Sequence, residues 1–170
     1  MMLRLAFAEW RAGIGLAAIL LGLTASAGHA QDRDRDDACA TIVRALEDLP
    51  TPALEIENAI IHDERTGSER PGCRITMAGS MRAFRDGPSP DEHLRTILPT
   101  IGWEEDWHYG ADGPDGTATA FRRGAALCLL RAQWDGGDDT DSTYVPNDRY
   151  DLTVGCMAVP PSGQDLDQMP

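Results

Sequence analysis

The densest run of chemistry-bearing side chains in this chain of 170 residues is Asp135-Gly136-Gly137-Asp138-Asp139-Thr140-Asp141. Carboxylates on a Gly-rich loop are what a hard cation such as calcium recruits, because it gathers oxygen ligands in a flexible shell. The register is not that of an EF-hand. Counted from Asp135, Gly137 falls at the third position, where Asp or Asn is required, and counted from Asp139 neither the sixth-position Gly nor the twelfth-position Glu follows. Asp135, Asp138, Asp139 and Asp141 are thus a candidate calcium loop of their own design, with Asp112 or Asp115 as further ligands. The plainer reading is a solvated acidic turn. No other cofactor is suggested.

Acid–base or covalent chemistry has weaker support. His62, His93 and His108 each lie close to acids (Asp63 and Glu64, Asp91 and Glu92, Asp106), but none has the His-x-x-x-His spacing that sets two ligands on one helix face. No serine sits in Gly-x-Ser-x-Gly, and Ser-x-x-Lys is impossible in a chain without lysine. Glu104 and Glu105 are adjacent, so on a strand they point to opposite faces and make poor partners for glycoside hydrolysis.

Cys39, Cys73, Cys128 and Cys156 offer no Cys-x-x-Cys pair, which removes the local geometry of a zinc knuckle or a thioredoxin-like redox motif. Their even number suits two disulfides. Cys128 shares strand phase with Leu130 and Ala132, and Cys156 with Leu152 and Val154, so a cross-strand bridge Cys128–Cys156 is expected. Cys39–Cys73 then fastens the first helix to the sheet.

The aromatics gather in the second half, where Trp103, Trp107 and Tyr109 stand near Arg122 and Arg123. Trp103 and Trp107 share strand parity, so one exposed face carrying both is the expected binding surface, with the arginines contacting anionic groups. Buried, the same rings are core.

The compartment is read from the N-terminus. Arg4 and Arg11 flank the start of an apolar stretch from Ala12 to about Thr24, followed by small residues through Ala30, the order of a cleavable signal peptide. Cleavage is expected after Ala30, with Ala27 as the alternative. The apolar run is shorter than the roughly 20 residues of a bilayer span, and charge resumes at Asp32, so no membrane anchor is expected after cleavage. The formal charge is −13; the first thirty residues carry Arg4 and Arg11 against Glu9, so the remainder carries −14. That charge argues against nucleic acid as a partner.

Residues 31–37 read as an acidic mature N-terminus, 38–159 as one domain and 160–170 as a flexible tail. Cys39, Ile42, Val43, Leu46 and Leu49 recur at helical spacing, with Asp36 or Asp37 placed as N-cap. Ser89-Pro90-Asp91-Glu92 is a capping box with Pro at the first helical position, opening a second helix whose stripe is Leu94, Ile97 and Leu98. Leu54-Glu55-Ile56-Glu57 alternates and continues apolar through Ile60 and Ile61, and with a second alternating run from Cys73 it reads as a hairpin whose long connection is punctuated by Thr66-Gly67 and Pro71-Gly72; Thr117–Phe121, Ala125–Trp134 and Tyr150–Val159 read as further antiparallel strands. The expectation is an α+β domain: two helices on one face of an antiparallel sheet of five to six strands, tied by two disulfides. Functionally this predicts an exported, periplasmic or secreted domain that binds a protein or glycan of the cell envelope through a surface. The alternatives are a small periplasmic hydrolase using His and Asp side chains, or a calcium-stabilised envelope protein.

Overall fold

The computed structural model describes residues 24–47, 49, 54–135 and 148–159. The bulk of the expected leader, the tail from 160, and Asp138, Asp139 and Asp141 lie outside them. The chain divides into two units, Met1–Ala30 and Gln31–Pro170. In the first, the described residues are the opening turns of a helix; the architecture below belongs to the second.

That helix, α1, spans Thr24–Glu47. It runs through Asp36 and Asp37 instead of being capped by them. Asp37 lies inside it, where its carbonyl accepts from Thr41 Oγ1 at 2.7 Å and its carboxylate takes the Arg123 guanidinium at 2.6 Å. A cap signal is local, and here a long-range ion pair uses the side chain. Helix α2, Pro90–Thr100, starts at Ser89 as expected, and the Ser89 backbone N–H donates to Glu92 Oε2 at 3.0 Å.

The strands are β1 Glu55–Asp63, β2 Ser68–Ser80, β3 Glu104–Glu105, β4 Ala111–Gly113, β5 Gly116–Arg123, β6 Ala126–Trp134 and β7 Arg149–Ala158. They form one antiparallel sheet in the order β1-β2-β7-β6-β5-β3, with β4 also on β5. The described residues make seven strands where about five to six were expected, because the aromatic segment after Gly102 adds two short pieces along the β5 edge. Turns follow glycine where a positive φ is needed, as at Gly124 (φ 58°) between β5 and β6.

Both helices pack on one face of the sheet. Ile42 and Leu46 of α1 and Leu94 and Leu98 of α2 are fully buried against Ile75, Val154, Leu152 and Phe121. Each such side chain contributes roughly 1.5–3 kcal/mol relative to exposure. Tyr150 in β7 pins the start of α2, donating to Asp91 Oδ1 at 2.7 Å and accepting from the Asp91 backbone N–H at 3.2 Å. Burial and the neighbouring Asp91 carboxylate push that phenol far above its usual range.

Cys73, Cys156 and Cys128 stand side by side across β2, β7 and β6 on this same face. The disulfides are Cys39–Cys73 and Cys128–Cys156, the expected pairing. Strand phase placed Cys73, Cys128 and Cys156 on one face, and the helical spacing of α1 turned Cys39 toward them.

The other face is not flat. Gly155 in β7 has no side chain, and a Cβ there would stand 3.1 Å from two carbons of Ile61; a Cβ at Gly72 would stand 2.6 Å from Ile61 Cγ1 and 2.2 Å from the Cys156 carbonyl oxygen. Ile61 belongs to β1, which pairs with β2, so it reaches β7 only because the β1–β2 hairpin coils over the sheet. Beneath it a second apolar cluster forms from Ile61, Ala120, Leu127, Met157 and Val159.

Candidate functional site

The coiled hairpin brings its turn to the opposite edge of the sheet. Asp63, at the end of β1, accepts from the backbone N–H of Arg65 at 3.0 Å and from Thr66 Oγ1 at 2.7 Å, which shapes the turn locally. Its second oxygen also accepts from Tyr109 Oη at 2.8 Å, a residue 46 positions away. Two cations approach the Tyr109 ring, the Arg65 guanidinium at 4.9 Å and that of Arg122 at 5.9 Å from its centre. Burial pushes the Asp63 carboxyl up, but hydrogen bonds from Thr66, Tyr109 and two backbone amides together outweigh it and hold the group below its ordinary value. Burial and the Asp63 carboxylate raise the Tyr109 phenol, so it stays a donor at neutral pH.

Tyr109 is the last residue of a 3-10 turn, Trp107–Tyr109, which lifts out of the sheet between β3 and β4. Asp106 fixes this turn from beneath. Its backbone N–H donates to the Ala120 carbonyl at 2.8 Å, while its carboxylate accepts from Arg122 Nε at 2.7 Å and meets His108 Nδ1 at 2.9 Å. Burial raises the Asp106 carboxyl, yet the hydrogen bonds of Arg122 and His108 outweigh it and lower the group on balance. On top, Trp107 is 76% exposed, and its ring stacks on His108 with centroids 3.7 Å apart.

Of the residues expected to form the binding surface, Trp107, Tyr109 and Arg122 come together here. Trp103 does not. It is buried among the helix-face core, with the Arg123 guanidinium 4.8 Å over its ring, and Arg123 in turn pairs with Asp37. The parity argument linking Trp103 to Trp107 fails because the strand between them ends at Glu105, and a 3-10 turn has no twofold alternation. Asp63, Arg65 and Asp106 complete the cluster. Thr66-Gly67 was legible only as punctuation within a long connection, whereas the connection is a tight turn because β2 already begins at Ser68, and nothing local announces that the Asp63 carboxylate receives Tyr109.

The histidines remain apart from one another. His62 is 3.7 Å from Glu69, His108 sits on Asp106, and His93 Nε2 is buried without a hydrogen-bond partner among the described residues. Among those residues none of the three imidazoles hydrogen-bonds to a hydroxyl. Of the acidic loop only Asp135 is described, and it is half-buried. Asp112 is committed elsewhere: its carboxylate accepts from Thr117 Oγ1 and pairs with Arg95 at 3.4 Å. No helix of the described residues is long and apolar enough to cross a membrane.

Fold and bridges together define a small α+β domain stabilised by two disulfides, bonds that form and persist in oxidising compartments. No protein-family model, no curated protein and no solved structure matches the chain.

Proposed function

We propose that this is an exported binding domain, periplasmic or secreted, that recognises a protein or glycan of the cell envelope through the surface centred on Trp107. The observation that carries this reading is a large ring left 76% exposed while the turn beneath it is held by Asp106, Arg122 and the sheet. An indole whose position is already fixed loses little conformational freedom on binding, which is why exposed, preorganised Trp residues serve as binding anchors. Beside it Arg122 and Arg65 are balanced by Asp106 and Asp63, so the patch is close to neutral in a chain that is otherwise strongly acidic. The signal-peptide pattern and the two disulfides support the destination.

The test is affinity capture from envelope extract, and on immobilised envelope glycan, with the oxidised domain and its Trp107→Ala variant side by side. A partner retained by the wild type and lost by the variant is the expected outcome. Equal retention by both, or retention by neither, refutes the surface.

A further inference from the structure

On the helix-free face, beside the turn that clasps Tyr109, the coiled sheet forms a groove of about 440 Å³. Leu129 and Gly155 lie on its floor, Ile61 forms a wall, and Arg74 and Arg131 stand at its margins. The register explains this mixture. Arg74, Gly155 and Leu129 form one row across β2, β7 and β6, and Arg131 sits in the next row opposite Thr153. Alternate strand residues share a face, so all of these project away from the cysteines.

In a chain of net charge −13 this groove is lined by two arginines, each held by an acid: Arg74 pairs with Glu57 at 2.9 Å, just outside the groove, and Arg131 pairs with Glu64, which lines it. Glu64 belongs to the turn after β1, 67 residues from Arg131, and both its carboxylate oxygens lie 3.2 Å from Arg131 Nη2. The groove margin thus already accommodates a carboxylate above an apolar floor. The two side chains are 55% and 73% exposed, so water screens this pair and an incoming anion competes with Glu64 at little cost.

We infer that the groove binds a small amphipathic carboxylate, an acyl or aryl acid. Its anionic head replaces Glu64 on Arg131, with Arg74 on the opposite margin, and its apolar body lies along Leu129 and Ile61. The volume falls within the range of about 300–1,000 Å³ typical of small-molecule sites. A cation of the same length would have to draw Glu64 off Arg131 or Glu57 off Arg74, leaving beside it an arginine that its strand holds at the groove margin. This site shares Tyr109 with the Trp107 surface, but Trp107 itself does not line it.

The probe is octanoate, with octylammonium as the opposite-charge control, followed by amide chemical shifts of the whole oxidised domain. Saturable shifts at Ile61, Leu129 and Gly155 with octanoate alone are expected. Arg131→Gln weakens binding by roughly threefold, the scale of an exposed ion pair, and Glu64→Gln strengthens it because the internal competitor is gone. Trp107→Ala leaves octanoate affinity unchanged, which separates failure of this site from failure of the envelope-binding surface. Absence of saturation at millimolar octanoate, equal shifts with octylammonium, or wild-type affinity in both groove variants overturns the inference. Both altered side chains are exposed, and circular dichroism verifies folding; if Arg131→Gln does not fold, the sign of the Glu64→Gln effect decides.

Discussion

The two faces of the sheet handle the same problem in opposite ways. One is sealed: α1 and α2 cover it, three cysteines stand abreast on adjacent strands, and Trp103 is buried beside them. The other carries no helix of the described residues, and the sheet covers part of itself by coiling until the β1–β2 turn meets Tyr109 from the far edge. Packing on the first face is apolar and covalent, whereas on the second it is held by Asp63, Tyr109 and arginines with groove and exposed indole alongside. A domain of this size thus concentrates its stability on one side and leaves polar, accessible chemistry on the other.

That division is open to direct attack, most severely on the sealed face. Replacing both Cys128 and Cys156 with Ala removes a bridge across 28 residues of sequence and is expected to cost about 3–4 kcal/mol. Denaturant titration measures this, and a loss under about 1 kcal/mol would show that the bridge does little for that face. On the open face, Gly72→Ala sets a methyl 2.2 Å from the Cys156 carbonyl oxygen and 2.6 Å from Ile61, so about 1–3 kcal/mol of destabilisation follows. Gly87→Ala, with nothing within 4 Å, is the matched control and leaves the melting temperature in place. If both variants melt alike, the hairpin does not coil as described.

Acid sharpens the contrast further. Asp63 and Asp106 are both held below the ordinary value of 3.8, so they bind protons less readily folded than unfolded. Their contribution is fully present above that unfolded value and is lost as pH falls through the lowered folded values. Stability of the wild type should therefore decline below about pH 4, and Asp63→Asn, losing on the order of 1–2 kcal/mol at neutral pH, should flatten that decline. A variant with the same acid slope as the wild type would assign the effect elsewhere. Among the side-chain removals the smallest change in stability belongs to Trp107→Ala, within about 0.5 kcal/mol, because its ring is mostly exposed. A larger drop in melting temperature would mean that the indole serves the fold and not a partner.

Much of the sealed face was legible beforehand. Ser89, Pro90 and Glu92 announce α2 because capping is a local matter of backbone donors. Cys128 and Cys156 share phase with Leu130 and Val154, and twofold alternation carries the disulfide pairing from sequence to sheet. The open face was less so. β3 and β4 are two and three residues long, too short for alternation to register, and the 3-10 turn between them cancels the parity that seemed to join Trp103 and Trp107. Asp36 and Asp37 looked like caps because nothing in their neighbourhood reveals that Arg123, 86 residues from Asp37, takes up the latter carboxylate.

By itself the sequence determined what depends on near neighbours and period: the α+β class, the capped second helix, the strand phases and the face on which the cysteines meet. Tertiary structure alone decided which aromatic is buried, which is exposed, and where a groove opens. Those outcomes rest on the coiling of the whole sheet, a sum of small twists that becomes large only over many strands, and on Ile61 finding the space that Gly155 leaves.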